Sequence, residues 1–597
     1  MPAQLPNETP HETPHETPHE TPNLKPDQKP NQKPNQKPDQ KPNLKPNENS
    51  GPPRPIYITT PIYYVNDRPH IGHAYTTTLC DVYARFMRTA GREVFFLTGT
   101  DEHGVKVEKS AAEHNVSPQA WADQNAAEFQ RILSIFDLTN DDFIRTTEPR
   151  HVQQVQHLVG ELMRRGDVYL GTFEGWYDEG QEEYYTQTKA EAANFKSPIS
   201  GRPLVRATEE NYFFKLSAFQ SRLEALFRDQ PEFVRPEARR NEVLGRLREG
   251  LQDFPISRTN FSWGIPLPGD PRHVLWVWVD ALFNYLTALD MGLDMGLDMG
   301  LDMGLDMGLD AGSAGSSRGD AHASRRRFWP ATYHVVGKEI LWFHAVVWPA
   351  MLMALGLPLP QCIHAHSFWI ADGQKMSKSL GNFIDIEAIQ RYISTYGLDA
   401  WRYYMVARGP LEANDADFSA AQFHDVYTTD LVNTVGNCAS RVTAMVGRYF
   451  DGALPPDTDE VIADVDWKSL CGECVMKSTT AMERFELADA LEAALSLIRR
   501  VDGFINQTEP FKLAKDPARR ATLGAILYRC TETVRIAALL LESTMPARMQ
   551  DLRIALGDST AAADRKPLAD LAVWGGLKPG TAIAKVALFP RVELGSG

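Results

Sequence analysis

At 597 residues the chain is too long for a single hydrophobic core and implies about three domains of ordinary size. Its 43% hydrophobic content is that of a soluble globular protein, and no apolar run approaches the ~20 residues that a bilayer span needs, so no membrane partner is expected. A formal charge of -15 argues against nucleic-acid binding over the whole surface, because phosphate contacts draw on Lys and Arg; only local basic patches could serve.

The first fifty residues repeat with a period of four, as HETP and then as variants of NQKP. A proline in every repeat forbids a helix and almost nothing apolar is available for burial, so residues 1–54 are expected to form an extended, disordered tail. His11, His15 and His19 are read as products of repeat expansion and not as a metal site. The tail carries Asp and Glu and no Arg before Arg54, which is unlike an organelle transit peptide. Six cysteines without a signal peptide suggest a reducing compartment, so the expected location is the cytoplasm.

Residues 55–170 open with PIYITTPIYY, a β-branched and aromatic strand. A helix is expected from Ala74 to Ala90 with Gly91 as its stop, and EVFFLTGTD reads as the next strand, completing a β-α-β unit. At the first strand-to-helix junction, DRPHIGHAY places His70 and His73 around Gly72. A zinc site would need a third ligand, and a zincin a carboxylate between the histidines, which Ile71 and Gly72 do not supply. Gly72 instead lets a flat ligand approach the backbone, and the helix start offers free N–H groups and a positive dipole end to a phosphate. Two imidazoles on that lip can donate hydrogen bonds to a phosphoryl group as its charge spreads.

Residues 171–254 read as a connective domain, and 255–365 bring a second β-α-β half: TYHVVG as strand, EILWFHAVVWPAMLMALG as a helix closed by Gly356, and QCIHAHSFWI as strand. Within it, MGLD repeats five times over residues 291 to 310 inside a low-complexity insert placed at 290–327. An Asp in every repeat rules out a membrane helix despite the GxxxG spacing. Lengthening an exposed loop costs only ~0.6 kcal/mol per doubling, so a core tolerates such an insert. Two separated halves predict an α/β, doubly wound Rossmann-type parallel sheet with its ligand at the carboxyl ends of the strands.

Residues 366–414 contain KMSKS at 375–379, where Lys375 and Lys378 among small hydroxyl residues make a mobile cation clamp suited to polyphosphate. From about Asp415 strands give way to long helical patterns, clearest in LADALEAALSLIRRVDGFI, so 415–597 is assigned to an all-α bundle with a C-terminal extension. Cys471 and Cys474 form a lone CxxC with no partner at metal spacing and are read as half-buried helix thiols. The closing TAIAKVALFPRVE is expected to be a short strand packed back on the rest.

HIGH and KMSKS in this order on this scaffold are the two signatures of class I aminoacyl-tRNA synthetases, which the chain resembles over nearly all of residues 55 to 545. Five blocks resemble the bacterial methionyl-tRNA synthetase family in particular: TTPIYYVNDRPHIGHAYTT, FFLTGTDEHG, VWVDALFNY, VVGKEILWFHAVVWPAMLMALGLPLP and ADGQKMSKSLGN. The resemblance implies activation of L-methionine by ATP, with its Mg2+, and transfer to initiator and elongator tRNA(Met). It implies His70, His73, Lys375 and Lys378 as catalytic residues, with Gly72, Gly337 and Glu339 also at ATP and Glu339 on the ribose. Around methionine it implies Tyr64, Asp101, Trp278, Ala281, Leu282, Tyr285, Phe343 and His344, with Asp101 taking the ammonium group. Sulfur sits favourably near aromatic rings, at ~0.3–1.5 kcal/mol per contact, which suits that set to a thioether.

The chain departs from the family where many relatives carry zinc-binding cysteines. Asp178 and Gln181 stand at the first expected Cys pair, and Ser197 and Ser200 at the second; hydroxyls and an amide are poor zinc ligands, so no structural zinc is expected. The segment is too short for the editing domain of the Ile, Val and Leu enzymes, and a cysteinyl enzyme would need a zinc thiolate. The helical domain resembles the family's anticodon-binding bundle, and the run LVNTVGNCASR matches its motif, which implies that Asn437 and Arg441, one helical turn apart on one face, contact the anticodon. Phe511 in EPFKLAK replaces a usual Trp and can still stack on a base, worth ~1–3 kcal/mol. Without the dimerising barrel that some relatives append, a monomer is expected. A non-catalytic tRNA-binding protein would not need both motifs and the pocket, and a pantothenate synthetase-like ligase would lack the helical domain.

Overall fold

The computed structural model describes residues 54–66, 68–178, 183–185, 187–198, 200–291, 325–371, 373–376, 382–463, 465–558 and 566–593. The repeat tail before Arg54, the MGLD repeats from residue 292 onward, Gln181 and Lys378 lie outside the described residues.

The central sheet contains β1 (Ile56–Tyr64), β2 (Val94–Asp101), β3 (Asp142–Arg145), β4 (Val234–Arg235), β5 (Tyr333–Gly337) and β6 (Ile363–His366). All neighbours are parallel, in the order β3-β2-β1-β5-β6-β4. Alternate residues of each strand enter opposite cores: Ile56, Ile58, Val94, Phe96 and Val335 on one side, Tyr57, Phe95, Leu97 and Val336 on the other. Burial on both faces explains why β1, β2 and β5 are rich in apolar residues on both faces instead of alternating. The sequence reading assigned 171–254 wholly to a connective domain, but β4 returns from that stretch to the sheet edge. A two-residue strand is too short to leave a periodic pattern.

The order reverses between β1 and β5, and there the sheet splits. Their pairing ends at Thr59↔His334, while β1 shifts register against β2 between Thr59 and Ile62 and continues to Tyr64↔Asp101. Pro61 sits in that shift and has no N–H to give to a ladder. The resulting cleft opens at the carboxyl ends, the place where doubly wound sheets take their ligands.

α1 (Ile71–Thr89) crosses from β1 to β2. It begins three residues earlier than the apolar pattern suggested, because His70 acts as its N-cap, and it ends before Gly91 at φ +82. The second crossover is less regular than expected, passing from a 3-10 turn (Lys338–Ile340) through a π-helical turn (Phe343–Val347) to an α-helix, Trp348–Leu355, closed by left-handed Gly356. The run QCIHAHSFWI is not one strand but two. After β6, Trp369–Ala371 joins a small second sheet with Ala416–Asp417 and Gln374–Lys375.

A separate four-stranded antiparallel sheet, built chiefly on Val168–Asp178 and Val205–Phe214, forms the connective region. Beyond residue 419 the described chain is helical, with Asn437–Phe450, Trp467–Glu483, Leu487–Thr508 and Arg520–Leu541 as its long members. Cys471 and Cys474 are buried in the second of these. The terminal segment expected as a strand has no strand partners beyond one bridge, Ala453↔Ala582, yet it packs down through Phe589 against Tyr427.

α1 is tied to the bundle by a fully buried ion pair. Arg402 Nη2 lies 2.6 Å from Asp81, and the same guanidinium donates to the carbonyls of Ser543 and Thr544 at the end of the Arg520–Leu541 helix. Asp81 also accepts from Thr139 N and Oγ1 and from Arg85. Removing one partner of a buried pair typically costs ~3–5 kcal/mol, so Arg402→Leu is expected to lower the unfolding free energy measured by urea titration by that order. A loss below about 1 kcal/mol would mean that the pair is dispensable to the fold.

Candidate active site

The cleft between β1 and β5 encloses a cavity of about 340 Å³. His70, Gly72 and His73 line it from the start of α1, Tyr64 and Asp101 from the ends of β1 and β2, and Gly337 and Glu339 from the end of β5. The helix Val277–Leu282 and the turn after it supply Trp278, Ala281, Leu282 and Tyr285, and the π-helical turn supplies His344.

The two histidines cap α1 reciprocally. Gly72 N donates to His70 Nδ1 and His70 N donates to His73 Nδ1, each at 3.1 Å. With Nδ1 an acceptor on both rings, the hydrogen-bond network assigns their protons to Nε2. Burial, and then His70, hold the His73 ring well below the usual histidine range, so it is an uncharged donor at neutral pH. The free helix N–H groups expected here are not free: Gly72 N is taken by His70, and Ile71 N donates to Ile384 O at 3.0 Å. The imidazoles thus carry the donor function of the helix start outward from the backbone.

The Ile384 contact also places the KMSKS arm. Gln374–Lys375 turns back on Trp369–Ala371 through Gly373 at φ +69, and further on Asp385 bridges His70 while the Phe383 ring lies edge-on to His70 at 5.2 Å. The described residues on either side of the motif are therefore anchored, those after it directly on HIGH. Lys375 is described only through its backbone in that strand.

At Gly337 a Cβ would meet Glu339 Oε2 at 2.3 Å, so the carboxylate can lie over β5 only because the residue is glycine. On the apolar side, Tyr285 Oη sits 2.8 Å from His344 Nε2, and His344 Nδ1 lies 3.0 Å from Ile340 O. A carbonyl only accepts, so Nδ1 bears the proton and the tyrosine hydroxyl donates to Nε2. Burial pushes the His344 ring down to about 4. Phe343 does not line this cavity. It stacks on Trp278 at 3.9 Å and 13° and borders a neighbouring cavity of about 160 Å³ with Trp276 and Trp342.

Several lining residues left no motif in the sequence. Lys106 is the one Lys or Arg among the described residues of the cavity wall, 5.6 Å from the Tyr64 ring centre, while His366 and Ser367 enter from the end of β6. His366 Nε2 is 2.7 Å from Thr76 Oγ1 on α1. The HxH alternation of β6 was the only available hint of His366.

In the bundle, Asn437 is exposed at the first turn of its helix. One turn on, Arg441 is held by Asp502 at 2.9 Å and Asn506 at 3.1 Å. Phe511 is 48% exposed. In the connective region Asp178 and Ser197 are buried, Ser200 is exposed, and Ser200 N donates to Ser197 Oγ at 3.1 Å, closing a turn with the hydroxyl where a thiolate would stand.

The buried imidazoles give a pH signature. Burial lowers His344 and His366 to about 4 and His364 to about 3, from an ordinary 6.5. The unfolded chain therefore binds more protons between about pH 6.5 and 3, so stability is full above that window and is lost as the pH falls through it. Urea midpoints at constant ionic strength are expected to hold from pH 8 to about 6.5 and to decline below. A midpoint unchanged down to about pH 4.5 would contradict neutral burial of these rings.

The family model of tRNA synthetases class I (M) matches residues 56–193 and 187–443. A methionine–tRNA ligase of Streptomyces coelicolor is 41% identical over 90% of this chain and 96% of its own length, and one of Halalkalibacterium halodurans is 38% identical over 90% and 78%. The structure of Mycobacterium tuberculosis methionyl-tRNA synthetase in complex with methionyl-adenylate superposes with a TM-score of 0.80 at 35% identity, covering 90% of this chain and all of that one. Similarity of this extent, on the sheet and cavity just described, makes the chain a member of the methionine–tRNA ligase family of class I tRNA synthetases.

Proposed function

We infer that the chain is a methionine–tRNA ligase, activating L-methionine with ATP to methionyl adenylate and transferring it to tRNA(Met). The observation that carries this is one cavity joining a phosphate-donor lip, His70 and His73, to an apolar wall of Trp278, Ala281, Leu282 and Tyr285 with Asp101 at its rim. The carboxylate of methionine attacks the α-phosphorus, pyrophosphate departs, and the acyl group then passes to the terminal adenosine of the tRNA.

In this reading Asp101 takes the ammonium group and fixes the amino-acid backbone beside the α-phosphate. The Nε2–H donors of His70 and His73 meet phosphoryl oxygens as charge spreads in the transition state, and Lys378, with Lys375, closes on the pyrophosphate. Glu339 over Gly337 binds the ribose hydroxyls. Tyr285, its own proton committed to His344, offers its aromatic ring to the thioether. No covalent intermediate with the protein is needed, so catalysis is orientation and electrostatics. Mg2+ enters on the ATP phosphates as part of the substrate. Asn437, Arg441 and Phe511 would read the anticodon, and the enzyme would act as a cytoplasmic monomer without a structural zinc. No described helix is long and apolar enough to cross a membrane.

ATP–pyrophosphate exchange with each amino acid supplied separately, in a zinc chelator, is expected to proceed with methionine alone. Exchange with none of them on folded, tRNA-binding protein would favour a non-catalytic role. His73→Ala removes one donor and the cap of His70 N, and is expected to lower the exchange rate by about 10²–10³ with methionine affinity nearly unchanged. Lost methionine affinity at a normal rate would overturn the phosphate assignment.

A further inference from the structure

Behind the apolar wall lies a buried acid that the reaction does not use. Asp280 belongs to the same short helix as Trp278, Ala281 and Leu282 but does not line the cavity, and its side chain is fully buried. His103 Nδ1 lies 2.6 Å from its Oδ2 and His151 Nε2 lies 2.7 Å from its Oδ1. Both imidazoles are themselves buried, and they are the only side chains that hydrogen-bond the Asp280 carboxylate among the described residues. Burial pushes the Asp280 carboxyl up, but His103 and His151 overcome this and hold it below the usual range, so it is ionised.

Three segments meet at this carboxylate. His103 follows Asp101 by two residues at the end of β2. The residue between them, Glu102, is clamped by Arg145 at 2.7 and 2.9 Å and by Thr147. His151 sits on the outer helix Pro149–Arg164, and its Nδ1 reaches Thr287 Oγ1 at 3.0 Å, in the turn that carries Tyr285. A buried ionic group is seldom retained for stability, since apolar residues of equal volume are often as good. What this group supplies is a fixed spacing. The wall is a six-residue helix, too short to hold its own position against a ligand, and Asp280 pins it to the strand end that bears Asp101.

We propose that Asp280, gripping His103 and His151, is a positioning residue that sets the separation between Asp101 and the Trp278–Leu282 wall, and so the length of side chain the site accepts. This rests on the methionine reading, in which the substrate spans from the ammonium at Asp101 to the methyl group at that wall. An apolar pocket discriminates one methylene only as far as its walls refuse to yield.

The test compares methionine with ethionine, one methylene longer, in ATP–pyrophosphate exchange by wild type and Asp280→Asn. The amide is isosteric but offers one acceptor and one donor, so it cannot accept from both imidazoles. The ratio of kcat/KM for methionine to that for ethionine is expected to fall about tenfold, a large part of what one methylene is worth, while KM for ATP stays within about twofold. Because the ratio does not depend on the fraction of active enzyme, a general loss of stability cannot produce the change. Should Asp280→Asn not fold, His151→Gln cuts only the arm to the outer helix and is expected to shift the ratio in the same direction. A ratio unchanged in the active variant, or an equal rise in KM for ATP, overturns the proposal. Failure of the wild type to activate methionine would instead overturn the reading on which it rests.

Discussion

The reciprocal capping of α1 by two histidines is the interaction on which the site depends. An ordinary N-cap satisfies a helix start with a serine or aspartate and ends there. Here each Nδ1 is consumed by a backbone N–H, so ring orientation and tautomer follow from helix geometry instead of from the ligand. Donors held in place before a substrate arrives need no reorganisation when charge develops, which is the condition for electrostatic catalysis. Gly72 belongs to the same device: a Cβ there would come within 2.9 Å of the His70 ring.

A lip of that kind is only as rigid as the helix behind it. α1 is buried along its length, bonded through Ile71 to the segment after KMSKS and through Asp81 to Arg402. Arg402 in turn holds backbone carbonyls at the end of a bundle helix. The donors at one end of α1 thus share a continuous set of directional contacts with the helical region, made of polar groups fully withdrawn from water. Such contacts tolerate little displacement, because a buried guanidinium that loses one acceptor finds no solvent to replace it.

What the sequence disclosed and what it concealed divide along physical lines. The parallel sheet was legible because strands buried on both faces are rich in apolar residues on both and the crossovers punctuate them with Gly91 and Gly356. At HIGH the imidazoles and the helix N–H groups were both expected as phosphate donors; Gly72 N and Ile71 N prove to be occupied, which the order of residues could not show because nothing in it says that an imidazole folds back onto its own helix. Phe343 reads like its aromatic neighbours and differs only in facing the far side of Trp278. β4 was invisible for its brevity. His103, His151 and Asp280 come from three distant segments, and each alone reads as an ordinary polar residue; only the fold makes them a group.

The charge of the cavity runs against its proposed task. The chain is strongly acidic overall, and the described wall carries two carboxylates, Asp101 and Glu339, against a single lysine, Lys106, with His73, His344 and His366 kept neutral by burial. A triphosphate entering such a site meets hydrogen-bond donors before it meets charge. In the proposed reaction the positive charge that the protein itself adds to that of Mg2+ on a departing pyrophosphate would come from the lysines of KMSKS, whose segment is anchored on either side and tied to His70 and Ile71 at its far end. Separating the two roles has a consequence for specificity. In the proposed reaction neutral donors would fix where the phosphates lie without binding them so tightly that ATP alone would occupy the site unproductively, and the cationic clamp would add its stabilisation as charge moves to the leaving group. Binding energy realised at that stage raises the rate, whereas the same energy spent on ground-state ATP would not.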